Sequence, residues 1–345
     1  MKILLGMSGG LDSTYAACLL REQGHDVTGA RVLMHEETSV DAAEKAAREA
    51  GVPLMILDAR DAFDKKVIAP FCEAYLNART PNPCVLCNPA VKFAFLCEAA
   101  KANGFDKIAT GHYADVAREN GRYFIRKGAD GSRDQSYVLY ALSQEQLSLL
   151  TLPLAGYRKE DLRPDAENRA LSSVSLPESR EICFIPSNDH ASFIEAYTGK
   201  PLLPGDFVDE TGRIVGRHRG IGRYTIGQRK GLGLAMNGHV FVTAIDPALN
   251  RVTVTRGEGL FKKEAVIREL VFQKQPPQDG VFRASVKIRY GAKPAPASVL
   301  VRDDAALLSF DEPVRALTPG QSAVCYDGDD LLMGGTITEE DPSLF

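Results

Sequence analysis

The chain has 345 residues, more than one hydrophobic core usually organises, so two or three domains are expected. Hydrophobic residues make up 44% and charged residues 25%, an ordinary globular balance that excludes disordered and fibrous classes. Lys and Arg number 41 against 45 Asp and Glu, a net charge of -4, so any nucleic-acid surface must be a local patch rather than a global field.

Met1 to Gly6 carries one Lys and a short apolar run, too short for a signal-peptide core, and no stretch reads as the ~20 apolar residues that cross a bilayer. The expectation is a cytoplasmic protein without a membrane role. Seven cysteines, an odd set at irregular spacing, predict thiols kept reduced. Lys2 to Leu5 reads as a buried strand, Gly6 to Ser13 as a glycine-rich turn and Thr14 to Gln23 as a helix stopped by Gly24. A strand over Val27 to Leu33, a helix over Val40 to Ala50 and a strand over Pro53 to Leu57 continue the alternation, which predicts a parallel sheet. Phe63 to Leu76 reads as a helix, Thr80 to Asn88 as a Pro/Asn/Cys loop, Phe93 to Ala102 as a helix and Lys107 to Thr110 as a buried strand ending at Gly111-His112.

From Gly199 the texture changes to recurrent Gly and Pro among short strand-like pieces, and after His239 to repeated β-branched or alternating runs. The predicted organisation is an α/β domain over 1–198, a small β-rich domain over 199–238 and a β-barrel over 239–345, the last expected to contact RNA. Arg217, His218, Arg219, Arg223, Arg229 and Lys230 cluster around Tyr224 as a local basic surface suited to a phosphate backbone. Lys287 and Arg289 alternate onto one side of a strand and extend it.

The segment Ser8-Gly9-Gly10-Leu11-Asp12-Ser13 follows a strand and precedes a helix. Its glycines let backbone approach an anion, the helix start offers unpaired N–H groups, and Asp12 suits a magnesium ion bridging phosphates. The Lys-Ser/Thr ending of a Walker loop is absent. Cys84 and Cys87 stand three positions apart after Asn82 and Pro83, and Cys183 lies in the segment EICFIP. Sulfur transfer needs a persulfide-bearing cysteine and a second thiol that attacks it. Cys18, Cys72, Cys97 and Cys325 sit in helical or strand segments and read as small hydrophobes.

SGGLDS resembles the PP-loop of the ATP-pyrophosphatase superfamily. TPNPCVLCN, ATGHY, DQSYVL, EICFIP, GRYTIGQRKGLG and TPGQSAV, spread over nearly the whole chain, resemble the tRNA-specific 2-thiouridylase family. The resemblance implies that Gly6, Met7, Ser8, Gly9, Gly10, Leu11, Asp12, Ser13 and Gly111 contact ATP, with the adenine near Val32. It implies that Cys183 carries the persulfide and Cys87 is its partner thiol. Asn82, Pro83 and Cys84 border the target base, while His112, Arg133, Asp134, Gln135, Arg289, Tyr290 and Gln321 lie along tRNA. An external sulfur donor recharges Cys183, and a monomer is favoured. Many members carry Asp where this chain has Cys84, so the acid/base role attached to that Asp has no direct counterpart. With Cys84 present, the three thiols either work through a persulfide or hold an iron–sulfur cluster. The rival readings are a PP-loop amidoligase, which needs no paired thiols, and an RNA-binding module that binds tRNA without consuming ATP.

Overall fold

The computed structural model describes the chain apart from residues 37, 177–181, 186, 188, 236–237 and 276–279. Strands β1 (Lys2–Gly6), β2 (Asp26–Leu33), β3 (Leu54–Asp58) and β4 (Lys107–Thr110) form a parallel sheet in the order β3-β2-β1-β4, extended by Leu150–Thr151. Side chains alternate across the sheet, and both faces are covered. Ile3 and Leu5 enter one core with helix α1 (Leu11–Glu22) and helix α2 (Asp41–Ala50), whereas Leu4 and Ile108 enter the other. Strand order reverses between β1 and β4, so the crevice for a ligand opens at their carboxyl ends.

The Pro/Asn/Cys loop expected over Thr80 to Asn88 is helical from Pro83 onward, in one helix that runs Pro83–Ala102. The Asn82 side chain caps it by accepting the Cys84 N–H at 3.1 Å, and Pro83 occupies the first turn, where its missing N–H costs nothing. A π turn, Asn88–Lys92, interrupts it. With 20 residues at a mean hydropathy of 1.2, it is long and apolar enough by length and composition to cross a bilayer, yet half of it is buried. Its inner face, including Val91, Phe93 and Leu96, joins the core that contains Leu4 and Ile108.

A four-stranded sheet follows, in which Phe241–Asp246 and Arg251–Thr255 pair with Gly205–Val208 and Ile214–His218. Hydrogen bonding therefore groups residues 205–255 in one sheet, where the expected boundary fell at 238/239. Within it His218 and Tyr224 are buried, and Arg217 and Arg223 are paired with Asp206 and Glu195 at 2.6 and 2.8 Å. The predicted basic patch is thereby reduced, because its central members serve the core and neutralise carboxylates.

The last six strands close into a barrel, because Phe261–Phe272 pairs both with Ala305–Arg315 and with Asp330–Ile337. The expected architecture, a parallel α/β domain followed by two β domains with a terminal barrel, is the one observed. An unforeseen hairpin, Ala114–Glu119 with Arg122–Lys127, ties the first domain to the barrel through Arg126 opposite Asp330. Fully buried Gln273 completes the joint, its side chain donating to the Leu139 and Tyr140 carbonyls and accepting the Ile125 N–H.

Candidate active site

The glycine-rich turn sits at the carboxyl end of β1, and α1 begins at Leu11, so Asp12 and Ser13 lie in its first turn. No side chain caps α1. Its leading N–H groups are left to a ligand, at the positive end of the helix dipole. Ser8 and Ser13 approach each other at 3.2 Å between hydroxyls, and Ser13 also donates to the Gly10 carbonyl, which fixes the turn. Gly9 has φ +89° and no room for a Cβ, which would fall 2.5 Å from the Ala42 carbonyl carbon at the start of α2. Gly111, after β4, is held as closely, since a Cβ there would stand 2.8 Å from the Asp12 carbonyl carbon. Both chain segments at the strand-order reversal are thus packed onto one turn.

Asp12 accepts from the Tyr113 hydroxyl at 2.8 Å and from Lys159 Nζ at 3.0 Å. Burial, followed by the Asp12 charge, drives the Tyr113 value far upward and keeps it a neutral donor. Gln135 holds the Tyr113 backbone from both sides, its Oε1 accepting the Tyr113 N–H and its own backbone N–H donating to the Tyr113 carbonyl. Asp134 is buried and bonded to the Ser136 N–H and hydroxyl. The structure therefore gives Asp134 and Gln135 bracing contacts behind the turn. Lys159 is a site residue that no local motif announces, 147 positions from Asp12.

The three cysteines of the two sequence motifs converge on the same region. Cys84 and Cys87 lie on one face of the capped helix, and Lys92 influences both electrostatically and also Cys183. Cys183 in turn acts on Arg31 of β2, whose Nη1 donates to the Ser8 carbonyl at 3.2 Å. Arg31 thus spans the glycine turn and the sulfur-bearing segment. Phe184 fixes that segment, its ring meeting Phe63, Phe71 and Phe193 at 5.6, 5.3 and 5.2 Å between centroids. Glu181 and Pro186 of the same motif lie outside the described residues.

Burial raises all three thiols and takes Cys87 to about 11, while Lys92 pulls each one back. Cys84 and Cys183 nonetheless keep solvent-exposed faces; the surrounding protein desolvates their sulfurs from one side. Among the described residues, no group of three His, Cys, Asp or Glu side chains is placed to hold a metal ion, so this arrangement lends the iron–sulfur reading of the three thiols no support. Cys72, Cys97 and Cys325 are buried as expected of small hydrophobes, and Cys18 is half-buried.

His112 stacks on Phe93 at 5.9 Å and shares a 2.7 Å hydrogen bond between Nδ1 and the Thr110 hydroxyl. Burial, then Lys92, holds it well below the ordinary value, so it is neutral near pH 7. Among the described residues no carboxylate pairs with Lys92. Replacing Lys92 by Met should shift the pH profile of iodoacetamide alkylation at Cys183 upward. Below the thiol value the rate should fall about tenfold, as loss of a nearby opposite charge requires, with Lys92→Arg restoring most of it. Unchanged profiles in a folded Lys92→Met chain would remove the lysine from the site.

At the rim, exposed Tyr290 is within electrostatic range of Cys84, and Lys287 Nζ lies 5.6 Å from its ring centre. Arg289, expected to grip phosphate beside Lys287, instead turns inward and donates to the Ile226 and Ala316 carbonyls at 3.2 and 2.8 Å. Gln321 donates to the Thr80 carbonyl at 2.8 Å, and the Thr80 N–H donates to the Pro319 carbonyl. Thr225 of the middle domain meets Thr80 at 3.2 Å between hydroxyls. All three domains therefore brace the turn that launches Asn82, Pro83 and Cys84. Val32 is buried in the core below β2, and Met34, just past that strand, brings its sulfur to 3.8 Å from Cys87.

Comparison with known proteins covers the whole chain. Residues 1–187 match the family described as tRNA methyl transferase HUP domain, residues 191–256 its PRC-barrel domain, and residues 262–337 the aminomethyltransferase beta-barrel domain. A tRNA-specific 2-thiouridylase MnmA of Clostridium acetobutylicum is 42% identical over 351 residues, covering 97% of this chain and 99% of that protein. Proteins of the same name from Clostridioides difficile and Carboxydothermus hydrogenoformans are 40% and 42% identical, over 98% and 97% of this chain and the same shares of theirs. Matched end to end at this level, the chain belongs to the tRNA-specific 2-thiouridylase (MnmA) family.

Proposed function

We propose that this chain is an ATP-dependent sulfurtransferase that replaces the 2-oxygen of the wobble uridine in tRNA with sulfur. The observation that carries the reading is the convergence of an uncapped helix start suited to phosphates and three thiols on one crevice, spanned by Arg31. Two halves of one reaction explain that convergence. A uridine C2 oxygen is a poor leaving group, and adenylation makes it a good one for an incoming sulfur.

In this reading the N–H groups that open α1 orient the phosphates of the substrate ATP, and Ser8 and Ser13 add hydroxyl donors. Magnesium supplies charge neutralisation on those phosphates. Asp12, whose oxygens accept from Tyr113 and Lys159, is the carboxylate of the turn that would help hold the ion. Tyr290 and Lys287 form a face on which an extruded base can stack, beside Cys84. Cys183 delivers sulfur from a persulfide loaded by an external donor. Lys92 stabilises sulfur as an anion, and neutral His112 is available for a proton. Seven free thiols fit action in a reducing cytoplasm, where we place the protein as a monomer.

Nucleoside mass spectrometry of tRNA tests the proposal. Cells lacking the protein should lose 2-thiouridine, the intact chain should restore it, and a Cys183→Ser chain should not. Full 2-thiouridine without the protein would refute the reading. An amidoligase or a passive RNA-binding module would leave the thiolated nucleoside unaffected by either change.

A further inference from the structure

A phosphate-binding loop of the Walker type carries its own lysine. Here the turn from Gly6 to Ser13 holds neither Lys nor Arg, and its one charged side chain is the Asp12 carboxylate in the first turn of α1. Remote segments nevertheless converge on that carboxylate: the Tyr113 hydroxyl donates to Oδ1 at 2.8 Å and Lys159 Nζ to Oδ2 at 3.0 Å. The backbone of Lys159 is fixed. Buried Asp130 accepts its N–H at 3.0 Å through one oxygen and takes the Ser132 N–H and hydroxyl on the other. Lys159 also opens the helix Lys159–Asn168, whose Leu162 and Ala166 share a core with Leu11 and Tyr15 of α1 and whose Asp165 accepts the Tyr15 hydroxyl at 2.5 Å. The root of this lysine is thereby held against the phosphate helix, while its ammonium rides on a flexible four-carbon stem.

A carboxylate at a helix start is already favoured by the helix dipole, and Tyr113 holds it in place, so Asp12 does not need an ammonium for its own sake. A triphosphate does, because it brings several negative charges against that carboxylate. Arg31, which also bonds the turn, directs each of its nitrogens at the Ser8 or Ser39 carbonyl. The side chain of Lys159 is 15% exposed and that of Asp12 31%, so the pair is sheltered from bulk water yet open to a ligand. Rotation about the last bonds of the stem carries the ammonium from the carboxylate to an oxygen beside it and leaves the helix where it is. We propose that Lys159 supplies in space the cation that the turn lacks in sequence: it rests on Asp12 in the free chain, turns to the phosphates of ATP, and stays with the pyrophosphate until that product leaves. This role rests on the nucleotide half of the sulfurtransferase reading. It makes Lys159 a phosphate-binding residue and Asp130 its positioning residue.

Isothermal titration of the full-length chain with ATP and with inorganic pyrophosphate tests the assignment. Lys159→Met should weaken both by at least about tenfold, the loss of one charge-assisted contact to phosphate, and Lys159→Arg should recover most of it. Pyrophosphate binding by Lys159→Met should also depend less steeply on salt, which a merely structural lysine would not change. The intact chain gives a second readout that needs no folded variant: acetylation of its amines, followed by peptide mass spectrometry. Saturating pyrophosphate should shield Lys159 at least about threefold, and adenosine, which has no phosphate, should leave its labelling unchanged. Unchanged affinities in a folded Lys159→Met chain, or labelling of Lys159 that pyrophosphate does not alter, would overturn the assignment and leave the sulfurtransferase reading standing. An intact chain that binds neither ATP nor pyrophosphate would overturn the nucleotide reading together with it.

Discussion

Cys183→Ser is expected to lower 2-thiouridine formation by at least about a thousandfold, since a hydroxyl cannot carry transferable sulfur. Pyrophosphate release that depends on tRNA should persist in the same variant. The separation follows from the geometry: the phosphate turn is built by β1, α1 and the Gly111 segment, whereas Cys183 rides on a segment anchored through Phe184. The change is close to isosteric at an exposed position, so thermal stability should stay near that of the unmodified chain. Parallel assays of pyrophosphate and thiolated nucleoside check it. Loss of both activities in a folded variant would show that sulfur loading precedes adenylation.

Gly9→Ala is expected to weaken ATP binding by about a hundredfold and to lower the melting temperature by several degrees. A left-handed φ of +89° costs an L side chain about 1–2 kcal/mol. The new methyl would also lie 2.5 to 2.7 Å from three atoms of Ala42, two of them backbone, so relief requires moving either α2 or the turn itself. Gly10 is the control. Its φ is -77°, and a Cβ there would meet only the Ser8 hydroxyl at 3.5 Å, so Gly10→Ala should keep its melting temperature within a few degrees. Isothermal titration with ATP and a thermal melt distinguish the two. Equal behaviour of the two variants would mean that Gly9 does not shape the cradle.

Local signals carry the nucleotide half of the site. Strand β4 has the ends that its apolar run predicts, and the phosphate turn stands in its expected strand-to-helix setting because the glycines and the preceding apolar residues encode both. The helix at Pro83 is hidden because Pro, Asn and Cys density suggests a loop, although Asn followed by Pro is also a helix-start signal. Sequence cannot display partners brought together by the sheet: Tyr113 lies 101 residues from Asp12, and Arg31 23 residues from Ser8. Arg289, Gln321 and Gln135, expected along tRNA, make contacts within the protein that their motifs do not announce. Arg289 Nη2 and Gln321 Nε2 donate to carbonyls of neighbouring segments and Gln135 Oε1 accepts the Tyr113 N–H, an arrangement set by tertiary packing. Lys92 escapes notice because a lysine in an apolar helix gives no sign that a π turn and a remote strand end surround it with thiols and a histidine.

The claim on which all of this rests is that nucleotide and sulfur act on one base in one crevice. Its most direct measurement is the stoichiometry of a single turnover: persulfide-loaded chain, tRNA and ATP labelled in the α-phosphate, with AMP and 2-thiouridine counted in the same quenched sample. One AMP for each 2-thiouridine, rising together, is the expected result. Thiolated nucleoside formed without ATP, or with ADP as the nucleotide product, would contradict it.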